Sequence, residues 1–100
     1  PRRPAVSEIF QLNDVDRWSL LDESCRLAEL MLQRFEGEKL NVAALGNLVP
    51  QLHLHHVLRR RDDPAWPGPV WGHSPAVPYT DVEQRARIDT LRDGLKIALT

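Results

Sequence analysis

The sequence predicts a small mixed domain in which two amphipathic helices accompany an antiparallel hairpin of short strands. Three features carry this reading. Apolar residues recur at helical spacing over residues 13–36, a Gly46-Asn47 dipeptide separates two strand-like runs, and a second helical stripe follows Thr80. One hundred residues make one domain at most, or a piece of one. The expected layout is therefore a single domain over residues 1–100, with an irregular arm over 62–79 and a C-terminal helix over 80–100.

The first helix has clear limits. Asn13 is a good N-cap, and Asp14 and Asp16 place acidic charge in the first turn, where the helix dipole favours it. Trp18, Leu21, Cys25, Ala28, Leu32 and Phe35 then step by threes and fours, and Leu20, Leu27 and Met31 widen the stripe. The expectation is that this stripe is buried, which would make Cys25 an inert core thiol. Gly37 is expected to stop the helix.

Next, residues 40–45 read as a strand, and Gly46-Asn47 suits a tight primed turn into a second strand over 48–58. Pro50 donates no ladder hydrogen bond and should mark an edge, a bulge or a strand start. Beyond Arg61, the prolines at 64, 67, 69, 75 and 78 forbid regular structure, yet Trp66, Trp71 and Tyr79 are too apolar for a linker. This segment is expected to be an ordered arm packed on something: the domain's own core, a partner subunit or a pocket. Arg59, Arg60 and Arg61 read as a solvated strand end. In the last helix, Thr80 and Glu83 have capping-box spacing, and Ile88, Leu91, Leu95 and Ala98 form its apolar face.

Composition bounds the function. The formal charge is −1, with 42% hydrophobic and 27% charged residues. That is ordinary for a globular domain and gives no electrostatic footing for nucleic-acid or membrane-surface binding. No apolar run approaches the ~18 residues of a membrane span. The single Cys25 cannot form an internal disulfide, which suits a reducing cytoplasm.

The chemistry concentrates in Gln51-Leu52-His53-Leu54-His55-His56-Val57. On a strand, Gln51, His53 and His55 would share one face, roughly 7 Å apart, while Leu52 and Leu54 pack inward with His56 following them. A lone histidine is most often a surface or core residue with a satisfied hydrogen bond, which suits His73 and His56. Two on one open face point further. A His-x-His strand suits zinc, but no third ligand with characteristic spacing accompanies it. A neutral imidazole, with an ordinary pKa of about 6.5, is a competent nucleophile toward phosphorus. One ring nitrogen must then be held as N–H by a backbone carbonyl so that the other presents its lone pair. His55 could donate to phosphate oxygens as charge builds.

The run from Gly46 to Val57 resembles the histidine-triad signature, Gly-Gln-x-Val-x-His-φ-His-φ-His-φ-φ, where φ is apolar. The Asn41-Val42 strand and the helix over 13–36 match that family's order of elements. The opening Pro-Arg-Arg looks like the end of a central strand, and Trp66-Pro67-Gly68-Pro69 is similar to a Trp-Pro segment found after the triad in one branch. The similarity covers residues 1–72. It implies an α+β domain with an antiparallel sheet and two main helices, whose first strands would lie in a few tens of residues preceding Pro1.

The resemblance also implies a homodimer, needing no metal or cofactor, that hydrolyses or transfers nucleoside monophosphates from dinucleoside polyphosphates, phosphoramidates or related conjugates. His53 takes the nucleophile's position and His55 the third triad position, with Gln51, Asn47, Gly46 and Trp66 expected around the substrate. This chain departs from the pattern in having Gln51 at the first triad position, Leu48 where a Ser or Thr is common, and Leu45 or Ala44 where an Asn is common. Those departures motivate a second reading, a nucleotide-binding regulator with little activity. A metal-dependent hydrolase using the His-x-His strand is a third.

Overall fold

The computed structural model describes residues 2–99. In chain order it contains a single 3-10 turn at Ile9–Gln11, helix α1 at Asp14–Arg34, strand β1 at Lys39–Ala43, strand β2 at His55–Arg59 and helix α2 at Asp81–Leu99. The two strands form an antiparallel pair in which Lys39 faces Arg59, Asn41 faces Val57 and Ala43 faces His55. This is the α+β arrangement expected, with both helices packed against each other and α1 also lying on the strands.

Helix α1 starts as its sequence dictates. The Asn13 side chain accepts a hydrogen bond from Asp16 N at 2.8 Å, satisfying one of the orphan amides of the first turn. The buried face covers only part of the expected stripe, with Leu20, Leu27, Ala28, Met31 and Phe35 turned at least partly inward. Trp18 is 71% exposed, Leu21 54% and Leu32 46%, and Cys25 is exposed too. The face turned inward carries Leu20, Leu27, Leu30 and Met31. At about 100° per residue the two stripes are neighbouring arcs of one broad apolar surface, so periodicity alone could not choose between them. Packing chose: Leu30, nearly buried, sits directly against Gly94 of α2, where a Cβ would lie 2.5 Å from Leu30 Cδ1.

Gly37 plays a different part from the helix stop expected of it. The helix ends at Arg34, and Gly37 lacks the left-handed backbone of a glycine cap. Its role is clearance, because a Cβ there would fall within 3.0 Å of Leu58 Cγ and both Cδ atoms.

The tight hairpin is also corrected. Ala43 pairs with His55, so residues 44–54 form a long irregular connection rather than a two-residue turn, and β2 is only His55–Arg59. Proline at 50 cannot donate to β1. The segment finds its partners on the other side, where Leu52 N donates to Val6 O at 2.7 Å. Leu52 is 2% exposed, and filling this site contributes roughly 1.5–3 kcal/mol. Gly46 has a φ of 68°, a conformation that glycine adopts without a side-chain penalty. The opening residues are likewise a bend and turn, with Ala5 at φ 57°, rather than a strand end.

Arg59 is the largest departure at the surface. Instead of a solvated strand end it is 2% exposed. Its guanidinium donates to both carboxylate oxygens of Asp63 (2.7 and 2.9 Å), to Asn41 Oδ1 (2.8 Å) and to Gly68 O (2.8 Å). Arg60 and Arg61 do stay exposed, paired with Asp62 and Glu38. The arm thus packs on its own domain, held at its root by one arginine. Further on, Thr80 Oγ1 accepts from Glu83 N at 3.2 Å and Thr80 N donates to Glu83 Oε1 at 3.4 Å, the capping box expected at the start of α2. Leu91 and Leu95 are half-buried and Ile88 is 39% exposed. The Ala98 side chain lies outside the described residues.

Candidate functional site

The histidines sit where the irregular connection enters β2. His55 is the first residue of the strand and His53 precedes it. Their rings nonetheless share one side, with centroids 5.0 Å apart and planes tilted by 59°. His56 takes the opposite side, where its Nε2 shares a 2.7 Å hydrogen bond with Ser24 Oγ of α1. Strand alternation therefore separates His56 from the pair, as the apolar character of Leu52 and Leu54 implied.

The geometry of His53 determines its chemistry. Its Nδ1 lies 2.7 Å from Gln51 O. A carbonyl oxygen can only accept, so Nδ1 must carry the proton and donate. In the neutral ring this leaves Nε2 with an in-plane lone pair, which is the form a nitrogen nucleophile requires. His53 also lines a cleft of about 250 Å³ together with Ser7, Glu8, Ala44, Leu45, Gly46, Asn47, Pro50 and Leu52. Gly46 and Asn47 are thus brought to His53, while Ser7 and Glu8 join from a segment that the motif did not include. Only Glu8 among these wall residues carries a formal charge.

Gln51 and Trp66 are placed elsewhere. Gln51 Nε2 donates to Arg3 O at 2.7 Å, so its amide is committed to the backbone. Trp66 lies with its ring centroid 5.4 Å from the Arg59 guanidinium carbon, a cation–π contact at the root of the arm. The tryptophan that reaches the histidines is Trp71, whose ring meets His55 edge-on at 5.9 Å. The sequence points to Trp66 as the arm's contact with the site. Nothing in the spacing of the arm separates Trp71 from Trp66, because the Arg59 contact that holds Trp66 away from the histidines forms only in the fold.

Electrostatics are strongest at that anchor. The hydrogen bonds from Arg59 hold the Asp63 carboxyl at about 2, well below its ordinary 3.8, against the opposing effect of burial. Donation from the Ala65 and Trp66 amides adds to the effect. The same contact pushes the Arg59 guanidinium up. Among the described residues, no group of three or more His, Cys, Asp or Glu is assembled to hold a metal ion. No described helix is long and apolar enough to cross a membrane.

A helix packed on an antiparallel strand pair, with two histidines side by side at the mouth of the second strand, defines an α+β domain with a histidine pair at its centre. The chain belongs to the HIT domain family, whose match spans residues 1–62. Solved structures extend the likeness over nearly all of it. A histidine triad protein from Marinobacter aquaeolei VT8 is 51% identical, with a TM-score of 0.89 over 96% of this chain and 70% of its own. Histidine triad proteins from Bradyrhizobium japonicum and Sinorhizobium meliloti 1021 are 42% and 38% identical, each with a TM-score of 0.89 over 94% of this chain and 70% of theirs. A comparison with curated proteins finds no match.

Proposed function

We propose that the protein is a nucleotide hydrolase or nucleotidyltransferase that works through a nucleotidyl-histidine intermediate on His53. The observation that carries this is the Nδ1–H bond from His53 to Gln51 O, which leaves Nε2 as the free nucleophile beside the cleft. In the first step the Nε2 lone pair forms a bond to the α-phosphorus of a nucleoside phosphate conjugate. The bond from phosphorus to the leaving oxygen or nitrogen breaks, and the leaving group departs with its electron pair and takes up a proton. In the second step water adds to phosphorus and the P–N bond breaks. A nucleoside monophosphate leaves and His53 is regenerated. His55 donates to the phosphoryl oxygens, and its contacts with His53 and Trp71 fix its ring for that task. Gly46 and Asn47 line the substrate's approach. Dinucleoside polyphosphates and phosphoramidates are the conjugates this chemistry fits, in a cytoplasmic homodimer.

Turnover of a substrate panel tests this reading. Diadenosine polyphosphates and AMP-lysine-type conjugates should be hydrolysed by the wild type, and His53→Ala should lose at least about a hundredfold in kcat/KM. Equal turnover by both would remove His53 from the mechanism.

One observation favours a second reading, a nucleotide-binding regulator with little activity. Among the described residues, the wall of the cleft contains no Lys or Arg and does contain the Glu8 carboxylate, so a phosphate gains no cationic partner from them. That version predicts AMP or GMP binding by calorimetry with no turnover of any conjugate.

A further inference from the structure

Residues 51–53 form three hydrogen bonds that act on one peptide group. Gln51 Nε2 donates to Arg3 O, Leu52 N donates to Val6 O, and His53 Nδ1 donates to Gln51 O, each at 2.7 Å. The Gln51 carbonyl and the Leu52 amide belong to the same planar unit. Val6 therefore holds one edge of that plane while His53 uses the opposite edge. A single bond leaves the plane free to rock about it. The Gln51 side chain supplies a second tie, on the Cα next to the carbonyl, and prevents that rotation.

From this arrangement we infer that Gln51 is a positioning residue, whose amide straps the His53 approach to the turn at residues 3–6 and so holds His53 in its nucleophilic tautomer. The inference rests on the nucleotidyl-histidine reading and adds the device that prepares the nucleophile. The anchor is itself secured, because the Arg3 guanidinium grips both oxygens of Asp16 in the first turn of α1, at 2.8 and 3.0 Å. The strap is needed because residues 44–54 lie outside the strand pairing, so β1 does not hold this peptide. An amide suits the task better than an ionisable side chain, since it donates in the same way at every pH where His53 is neutral. With the carbonyl displaced, the ring would exchange its Nδ1–H form for the Nε2–H form, whose lone pair lies on Nδ1, the nitrogen turned toward the Gln51 backbone.

The test uses two variants of the full chain. Gln51→Glu keeps the shape and removes the donor, and Gln51→Leu removes the polarity without adding charge. Two-bond proton–nitrogen correlation spectra at about pH 8, without substrate, read the protonation of each His53 ring nitrogen. The wild type should show Nδ1 protonated and Nε2 bare. Both variants should move toward a mixture of tautomers, with kcat lowered about two- to tenfold, the range one hydrogen bond supports, and KM little changed. If neither variant shifts the His53 nitrogens, or if only Gln51→Glu does, the strap is overturned; the second result assigns the effect to charge. Because the spectra need no turnover, failure of the strap is distinguishable from failure of the nucleotidyl-histidine mechanism.

Discussion

Replacing Gly94 by alanine measures how closely α2 lies on α1. A Cβ at position 94 would sit 2.5, 2.6 and 3.1 Å from Leu30 Cδ1, Cδ2 and Cγ. Rotating the Leu30 tip cannot clear all three atoms, because the branch carbon is itself too close. Leu30 is only 8% exposed, so it has little room to withdraw. Overpacking of this kind costs about 1–3 kcal/mol, while alanine gains about 1 kcal/mol over glycine in a helix interior. The single variant should therefore lose roughly 0–2 kcal/mol. In a Leu30→Ala background the obstructing atoms are gone, and Gly94→Ala should instead add about 1 kcal/mol. Urea unfolding of the wild type, both single variants and the double variant gives the coupling between the two positions, expected at about 1–3 kcal/mol. Additive effects, with the same change in both backgrounds, would refute the close approach of the helices.

Two further outcomes follow from the arm and from α1. The Asp63 carboxyl is held at about 2 by Arg59, below its ordinary 3.8. Its pairing therefore adds stability that is present above pH ~4 and lost as pH falls through about 2. The melting temperature of the wild type should exceed that of Asp63→Asn at about pH 6, and the gap should close between about pH 4 and 2; a constant gap would contradict the pairing. Cys25 is exposed in the described chain, so in native protein it should react with a thiol reagent at nearly the rate measured after unfolding. Protection until unfolding would mean that this face is covered in solution.

The sequence was most informative where local chemistry decides structure. Asn13 and Thr80 cap their helices through their own side chains, and the apolar Leu52 and Leu54 separate His56 from the His53–His55 pair. It was least informative where the choice depended on distant packing. Helix α1 is apolar over more than one face, and only the approach of α2 through Gly94 selects Leu30 over Trp18. Likewise, Arg59 reads in the sequence as one of three equivalent surface arginines, because the fold of the arm brings Asp63 and Gly68 to it and strand pairing brings Asn41. The antiparallel pairing of the two strands is legible, but not the length of the connection over 44–54: Gly46-Asn47 satisfies tight-turn chemistry locally, while Leu52 takes its partner from Val6. At the site, the motif drew attention to His53, His55, Gly46 and Asn47. Ser7, Glu8 and Trp71 join them through the fold, and no spacing rule in the sequence could have brought them there.

The most direct test of His53 as nucleophile is its covalent trapping. The protein is mixed with a phosphoramidate or dinucleoside polyphosphate, quenched within the turnover time under mildly alkaline denaturing conditions, digested and weighed by mass spectrometry. The peptide containing residue 53 should gain one nucleoside monophosphoryl group, acid-labile as expected for a P–N bond, and the His53→Ala protein should gain none. Substrate turnover accompanied by an unmodified residue 53, or by the adduct on another side chain, would contradict the mechanism.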